Sequence, residues 1–235
     1  MAEQRIANRW IIAAAAVVLL WQAVHWLSGL PPYLLPGPAA VAGALVAKAP
    51  LLAHHAAITL LEIVLGLGLG VAVGAAAALA LALWPPVRRW LLPLLVISQA
   101  VPVFALAPIL VLWLGYGLGS KVAMAVLIVF FPVMVNVLTA IRTVDPDMIN
   151  LARAFKASRV QIFWKIEFPA SLPPLFAGLR IGSTLAVVGV VGGELVGGNI
   201  GLGYLLSFGE GQANTPMVFV SILMLTIVGC VAYLL

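Results

Sequence analysis

RTVDPDMINLARAFKASRVQIFWKIEFPASLP, residues 142–173, is the one long, charged and amphipathic interruption in an otherwise apolar chain. Asp145 is a good N-cap, Pro146 suits the first helical position and Asp147 places negative charge in the first turn, so a short helix is expected to begin there. Met148, Leu151, Ala152 and Phe155 fall on one face of it, while Arg153 and Lys156 point elsewhere. The helix is expected to break near Ala157. Ser158, followed three residues later by Gln161, has the form of a capping box and starts a second short helix, whose Ile162, Phe163 and Ile166 repeat the apolar stripe. Pro169 disfavours helical geometry at Phe168 and is expected to end it. A helix–turn–helix knuckle over residues 145–168 leaves an apolar patch in water when alone, which reads as a docking surface for a soluble partner.

Outside this stretch the composition decides the class. Of 235 residues, 64% are hydrophobic and 8% charged, and the mean hydropathy is +1.20. Water could not solvate so much apolar surface, so the chain is read as an all-α polytopic membrane bundle, one domain over residues 1–235. Six spans are expected, at about 10–28, 58–83, 90–114, 119–141, 173–196 and 215–235. Each has roughly the 20 residues needed to cross a hydrocarbon core of about 30 Å. The knuckle lies between the fourth and fifth. The third span is irregular, carrying Pro93, Pro102 and Pro108, and needs neighbours or water to satisfy the freed carbonyls.

Charge then sets the orientation. With the N-terminus inside, Arg5, Arg9, Arg88, Arg89, Arg142, Arg153, Lys156, Arg159, Lys165 and Arg180 lie on the cytoplasmic side, 10 of the 12 basic residues. Only Lys48 and Lys121 are left outside, so the positive-inside rule places the knuckle in the cytoplasm. The net charge of +5 is accordingly a topology signal. No basic stripe interleaved with aromatics suggests a nucleic-acid partner. The first apolar run lacks a small-x-small cleavage site and carries Trp10, Trp21 and Trp26 as belt residues, so it is read as a retained span. Cys230 is alone and forms no intrachain disulfide.

Between the first two spans, Pro31-Pro32 and Pro36-Gly37-Pro38 mark an outside turn, and residues 38–54 suggest a short interfacial helix. Residues 197–214 form a second outside segment, Gly-rich and without clear periodicity. Gly66, Gly70 and Gly74, continued by Ala78 and Ala82, make a small-residue stripe on the second span, and Gly189, Gly192 and Gly193 a similar patch on the fifth. Such stripes let helices approach closely.

Chemistry is sparse. Neither Gly66–Gly74, mid-span with no preceding strand, nor Gly115–Lys121 has the form of a nucleotide loop. His54 and His55 are adjacent and point about 100° apart on a helix, which argues against a shared metal. No nucleophile, base and orienter come together, and no catalytic, cofactor-binding or metal residue is assigned. The intramembrane polar residues Ser98, Gln99, Asn136, Thr139, Ser183 and Thr184 either bond helix to helix or line a translocation path, with Gln99 beside Pro102 the first pathway candidate. Glu62 and Glu194, near the outer ends of their spans, either reach water or pair with Lys48 or Lys121, or else contact substrate or gate the path.

Residues 150–182 resemble the cytoplasmic signature of permease subunits of binding-protein-dependent ABC importers. Ala152, Arg153, Phe155, Ala157 and Ser158 fit it, as do Pro169, Pro173 and Gly178-Leu179-Arg180-Ile181. Asn150 stands where Glu is usual, Leu151 where the first Ala is, and Lys156 where Gly is. The resemblance extends to Leu35-Pro36-Gly37-Pro38, Val101-Pro102, Val144-Asp145-Pro146-Asp147, and Gly193-Glu194-Leu195 with Gly201-Leu202-Gly203. In this combination it is specific to the nitrate/sulfonate/taurine-type branch, which includes permeases for pyrimidine thiamin precursors and for riboflavin.

The resemblance implies a homodimer of six-span subunits in a bacterial inner membrane, a cytoplasmic ATPase pair that binds ATP and Mg, and an extracytoplasmic substrate-binding protein. It also implies that 145–168 is the coupling element seated on the ATPase. Asn150, Leu151, Ala152, Arg153, Phe155, Lys156, Ala157 and Ser158 are the expected coupling residues, with Arg153 and Lys156 as rim charges. If the turn needs a left-handed residue, Lys156 costs roughly 1 kcal/mol more than Gly. Glu62 and the Phe155–Ser158 variant of the turn incline the reading towards pyrimidine- or flavin-like cargo over sulfonates. A self-sufficient channel or facilitator is the alternative, and it leaves the capped knuckle without purpose.

Overall fold

The computed structural model describes residues 2–234, with side chains from Ile12 onward apart from Ala14. Arg5, Arg9 and Trp10 therefore lie outside the described side chains. The described residues are helical almost throughout: α1 (Ala2–Leu27), α2 (Pro38–Ala47), α3 (Ala49–Leu83), α4 (Pro85–Ser98), a 3-10 turn (Val103–Leu106), α5 (Ala107–Leu114) and α6 (Leu118–Arg142). Then come α7 (Pro146–Ala154), α8 (Arg159–Ile162), a π turn (Phe163–Glu167), α9 (Phe168–Gly197), α10 (Leu202–Gly211) and α11 (Thr215–Leu234).

Four stretches are long and apolar enough to cross a membrane: α3, α6, the run from Arg159 to Gly197, and α11. The pair formed by α4 and residues 103–114, bent by 86°, makes a fifth where the two are counted as one span. The expected first span falls on α1, of which Ala15–Leu27 is a shorter apolar helix.

At the centre is α6, clasped between α3 and α9. The small-residue stripes explain how. A Cβ on Gly66 would collide with Ala125, one on Gly70 with Val129, and one on Gly74 with the Phe130 carbonyl. On the other flank, a Cβ on Gly189 would lie 2.8 Å from the Ala125 backbone. Ala125, Val129, Val133 and Met134 are buried as a result. Without a hydrophobic drive between helices in lipid, such close backbone approach is what supplies van der Waals attraction. Trp21 stacks on Phe219 at 5.6 Å and ties α1 to α11.

Four expectations are corrected. The third span is two helices rather than one irregular helix: Pro102 is extended (φ −63°, ψ 111°), and Pro93 and Pro108 sit within α4 and in the first turn of α5. Successive prolines remove the donors a straight helix needs there. Residues 38–54 do not form one interfacial helix, because α2 stops at Ala47 and α3 begins at Ala49 with Pro50 in its first turn, where proline is tolerated. At 35 residues, α3 is roughly 50 Å long, more than a hydrocarbon core requires. Pro169 does not end the second knuckle helix. The π turn reseats the ladder so that Pro169 occupies the first turn of α9, where its missing N–H is no loss, and the chain stays helical from Arg159 to Gly197. Finally, residues 197–214 are not aperiodic: they hold α10, bounded by glycines.

Candidate functional site

Two regions at opposite ends of the bundle carry the unusual chemistry. They are separated by the 30 residues of α9.

The first is the knuckle. Asp145 Oδ1 accepts the Asp147 N–H at 2.9 Å and caps α7. Lys156 follows in the left-handed region at φ 58°, and its N–H bonds to the Arg153 carbonyl while the Ala157 N–H reaches Ala152. That pairing closes the helix in the manner usually served by glycine. The Ser158 hydroxyl then accepts the Gln161 N–H at 3.2 Å and the Gln161 side chain accepts the Ser158 N–H at 2.8 Å, completing the capping box. The break runs from Phe155 to Ser158 and includes Ala157, where it was expected.

Exposure on this knuckle is inverted relative to a soluble fold. Phe155 is 80% exposed, and Met148, Leu151, Val160 and Trp164 are exposed beside it. Asn150, Arg153, Lys156 and Ser158 are also exposed, while Ala152 and Ala157 are half-buried. Ala152, Phe155, Lys156, Ala157, Gln161 and Lys165 line one shallow cleft of about 300 Å³. Ile162 and Phe163, by contrast, turn inward. The first helix and the turn present apolar surface; the second anchors the knuckle to the core. Glu167, buried at its base, faces Arg159 at 3.7 Å.

The second region is a buried polar cluster at the α10 end. Glu62 on α3 and Lys121 on α6 are each 1% exposed and pair at 3.4 Å, without hydrogen-bond geometry. Glu194 on α9 is fully buried beside Glu62. It accepts the Thr59 hydroxyl at 2.7 Å and the Gly203 N–H at 2.6 Å. The Leu202 N–H donates to Thr59 Oγ1 at 2.9 Å, and His55 Nδ1 lies 3.0 Å from both the amide and the carbonyl of Gly201, bonding one or the other by tautomer. A carboxylate at the first turn of α10 also complements the helix dipole.

This cluster corrects the reading of the two acids. Of the alternatives for Glu62, pairing with Lys121 is observed, but neither acid reaches water, and Lys121 is buried rather than exposed at the membrane face. His55 and Thr59 had been passed over. One signal pointed to them: His55, Thr59 and Glu62 are spaced at four and three residues, on one face of α3.

The pathway candidates are scattered. Ser98, Ser183 and Thr184 donate to carbonyls three residues back in their own helices, at 2.7 to 2.8 Å, rather than across to a neighbour. These three hydroxyls are thus bonded within their own helices, to the carbonyl of the preceding turn. Gln99 is exposed at the end of α4, and Asn136 packs beside Gly178.

Residues 66–235 match the family described as the inner membrane component of binding-protein-dependent transport systems. The chain belongs to that family. It is a permease component of an ABC transport system. Among its relatives, a probable ABC transporter permease protein of Haemophilus influenzae is 40% identical over 95% of this chain and 91% of its own length. The riboflavin transport system permease protein RibX of Chloroflexus aurantiacus is 43% identical over 93% of this chain and 82% of its own. The formylaminopyrimidine transport permease protein ThiX of Halalkalibacterium halodurans is 36% identical over 92% and 87%. As a permease subunit this chain is not itself catalytic, and it is a multi-pass protein of the inner membrane. The permease match includes the knuckle, the bent pair, α6, α9 and α10, while His55, Thr59 and Glu62 of the second region precede it.

Proposed function

We propose that this permease forms the translocation path of an importer for a small polar organic solute, driven by a cytoplasmic ATPase pair on which the knuckle of residues 145–168 docks. The observation that carries this reading is the exposure of Phe155, Leu151 and Met148 on a helix capped at both ends. A patch held so rigidly and left apolar in water is stabilised by a partner that covers it. Arg153 and Lys156 supply rim charges, which steer association more than they hold it. Six spans with the N-terminus inside place the knuckle in the cytoplasm and α10 outside, by the positive-inside argument. A second copy of the subunit completes the path, an extracytoplasmic binding protein delivers the solute, and ATP with Mg resides on the partner.

For cargo, the identities to permeases named for riboflavin and formylaminopyrimidine support a flavin- or pyrimidine-like solute, in keeping with the turn Phe155–Ser158. Phe155→Asp is expected to abolish copurification of the co-expressed ATPase and ATP-driven uptake while leaving membrane insertion intact; retained copurification would remove the docking claim. Thermal-shift screening of the cognate binding protein with riboflavin, formylaminopyrimidine and taurine tests the cargo separately. A shift with taurine alone would overturn the flavin or pyrimidine assignment.

A further inference from the structure

The cluster at the α10 end lies at the other end of α9 from the knuckle, and its geometry is costly to assemble. Three ionisable groups are withdrawn from water and two of their atoms, Glu62 Oε2 and Lys121 Nζ, make no hydrogen bond. Such a cluster holds only while its partners stay in place. Those partners come from four elements: Thr59 and Glu62 from α3, Lys121 from α6, Glu194 from α9, and the backbone of Gly201, Leu202 and Gly203 at the start of α10.

The chain is shaped to let them meet. Gly201 stands at φ 114°, and a Cβ there would collide with the Glu194 carboxylate. A Cβ on Gly203 would lie 2.9 Å from Glu194, and one on Gly193 would lie 3.2 Å from the Lys121 backbone. Leu202, between the two glycines, is fully buried, and the Tyr204 ring stacks on His55 at 6.0 Å. The glycines and Glu194 thus form one device: small residues admit the backbone, and the carboxylate receives its N–H.

We propose that this clasp makes residues 198–211 a fixed part of the α3–α6–α9 core, travelling with it during alternating access rather than opening as a lid, with Glu194 as the positioning residue. Opening the segment alone would break the bonds of Gly203 to Glu194, of Leu202 to Thr59 and of Gly201 to His55 together. It would also take from the buried Glu194 its backbone donor, leaving the Thr59 hydroxyl as its one hydrogen-bond partner. Motion of the whole core breaks none of them.

The proposal rests on the permease reading for the cycle, and its test separates the two. Leu202→Cys is introduced with Cys230→Ser, and the permease is reconstituted in lipid nanodiscs with its ATPase. The rate of labelling by a charged maleimide is read without nucleotide and after trapping with ATP and vanadate. A fixed segment stays protected in both states, with rates within about twofold, whereas Thr59→Val and Glu194→Gln each label at least about tenfold faster and Thr59→Ser returns to the protected rate. Labelling about tenfold faster on trapping would establish a lid and overturn the proposal, as would unchanged protection in both variants. If Glu194→Gln fails to assemble, the Thr59 pair decides. Absence of ATPase binding would strike the docking reading of the knuckle while leaving the nucleotide-free comparison of the variants in force.

Discussion

At the α10 end of the bundle, Glu62, Lys121 and Glu194 are ionisable and buried; at the knuckle end, Phe155, Leu151 and Met148 are apolar and exposed. Each end reverses what its residue types prefer, and each reversal has a different resolution. The buried polar groups find their partners within the chain, in one another, in Thr59 and in the backbone of α10, with Glu62 and Lys121 held by ion pairing alone. The exposed apolar groups have no answer within the chain. One region is therefore finished by folding, and the other awaits assembly.

The sharpest way to break this contrast is Lys121→Met. It leaves two carboxyl groups facing each other in a site with no cation, and removal of one partner of a buried pair typically costs about 3–5 kcal/mol. Thermal unfolding in detergent should fall by the corresponding margin, and Glu62→Gln added to Lys121→Met should recover a large part of it. If Lys121→Met unfolds like the parent, the buried pair contributes nothing and the α10 end is not the self-satisfied region described above. The same assay on Phe155→Asp should move little, since that side chain is in contact with water.

Packing between the two ends offers a smaller effect. Gly189→Leu forces a side chain against the Ala125 backbone, where the ideal Cβ is already 2.8 Å away, and overpacking of this kind costs about 1–3 kcal/mol. Gly68→Leu, on the same helix as the Gly66–Gly74 stripe but with nothing within 4 Å of its Cβ, should be close to neutral. A similar loss at both positions would show that helix flexibility rather than close approach explains the glycines.

These stripes and the caps were legible because they depend on local spacing. Asp145, Ser158 and Gln161 act within one turn of themselves, and Gly66, Gly70 and Gly74 share a face whatever they meet. The clasp was not legible. Thr59 bonds Glu194 across 135 residues and His55 meets Gly201 across 146, and no local rule brings them together. The path of the chain after Ile162 was misjudged for a related reason: Pro169 is a breaker inside a regular helix but an ordinary first-turn residue once a π turn precedes it. Similarly, the bend at Pro102 was visible as a weakness but not as an 86° turn, because its size depends on Phe104 and Val111 lodging against Gly192 and Gly197 of α9.

The smallest effect belongs to the turn of the knuckle. Lys156 holds φ 58° where the signature of these permeases carries glycine, and it does so with two backbone bonds, Lys156 to Arg153 and Ala157 to Ala152, that a left-handed residue makes possible. Lys156→Gly removes the clash between Cβ and the following carbonyl, worth about 1–2 kcal/mol, but adds about 0.5–1 kcal/mol of freedom to the unfolded chain. The net gain should lie between about 0 and 1.5 kcal/mol, visible as slower hydrogen exchange at Ala157 and Ser158 rather than in global unfolding. Because the exposed Lys156 ammonium lines the same cleft as Phe155, the substitution separates backbone shape from charge: Lys156→Gly keeps the turn and loses the rim charge. ATPase copurification that survives in Lys156→Gly but not in Phe155→Asp would place the docking energy in the apolar patch. Loss in both would give the ammonium an equal share and shift the contrast between the two ends from apolar against charged to unpaired against paired.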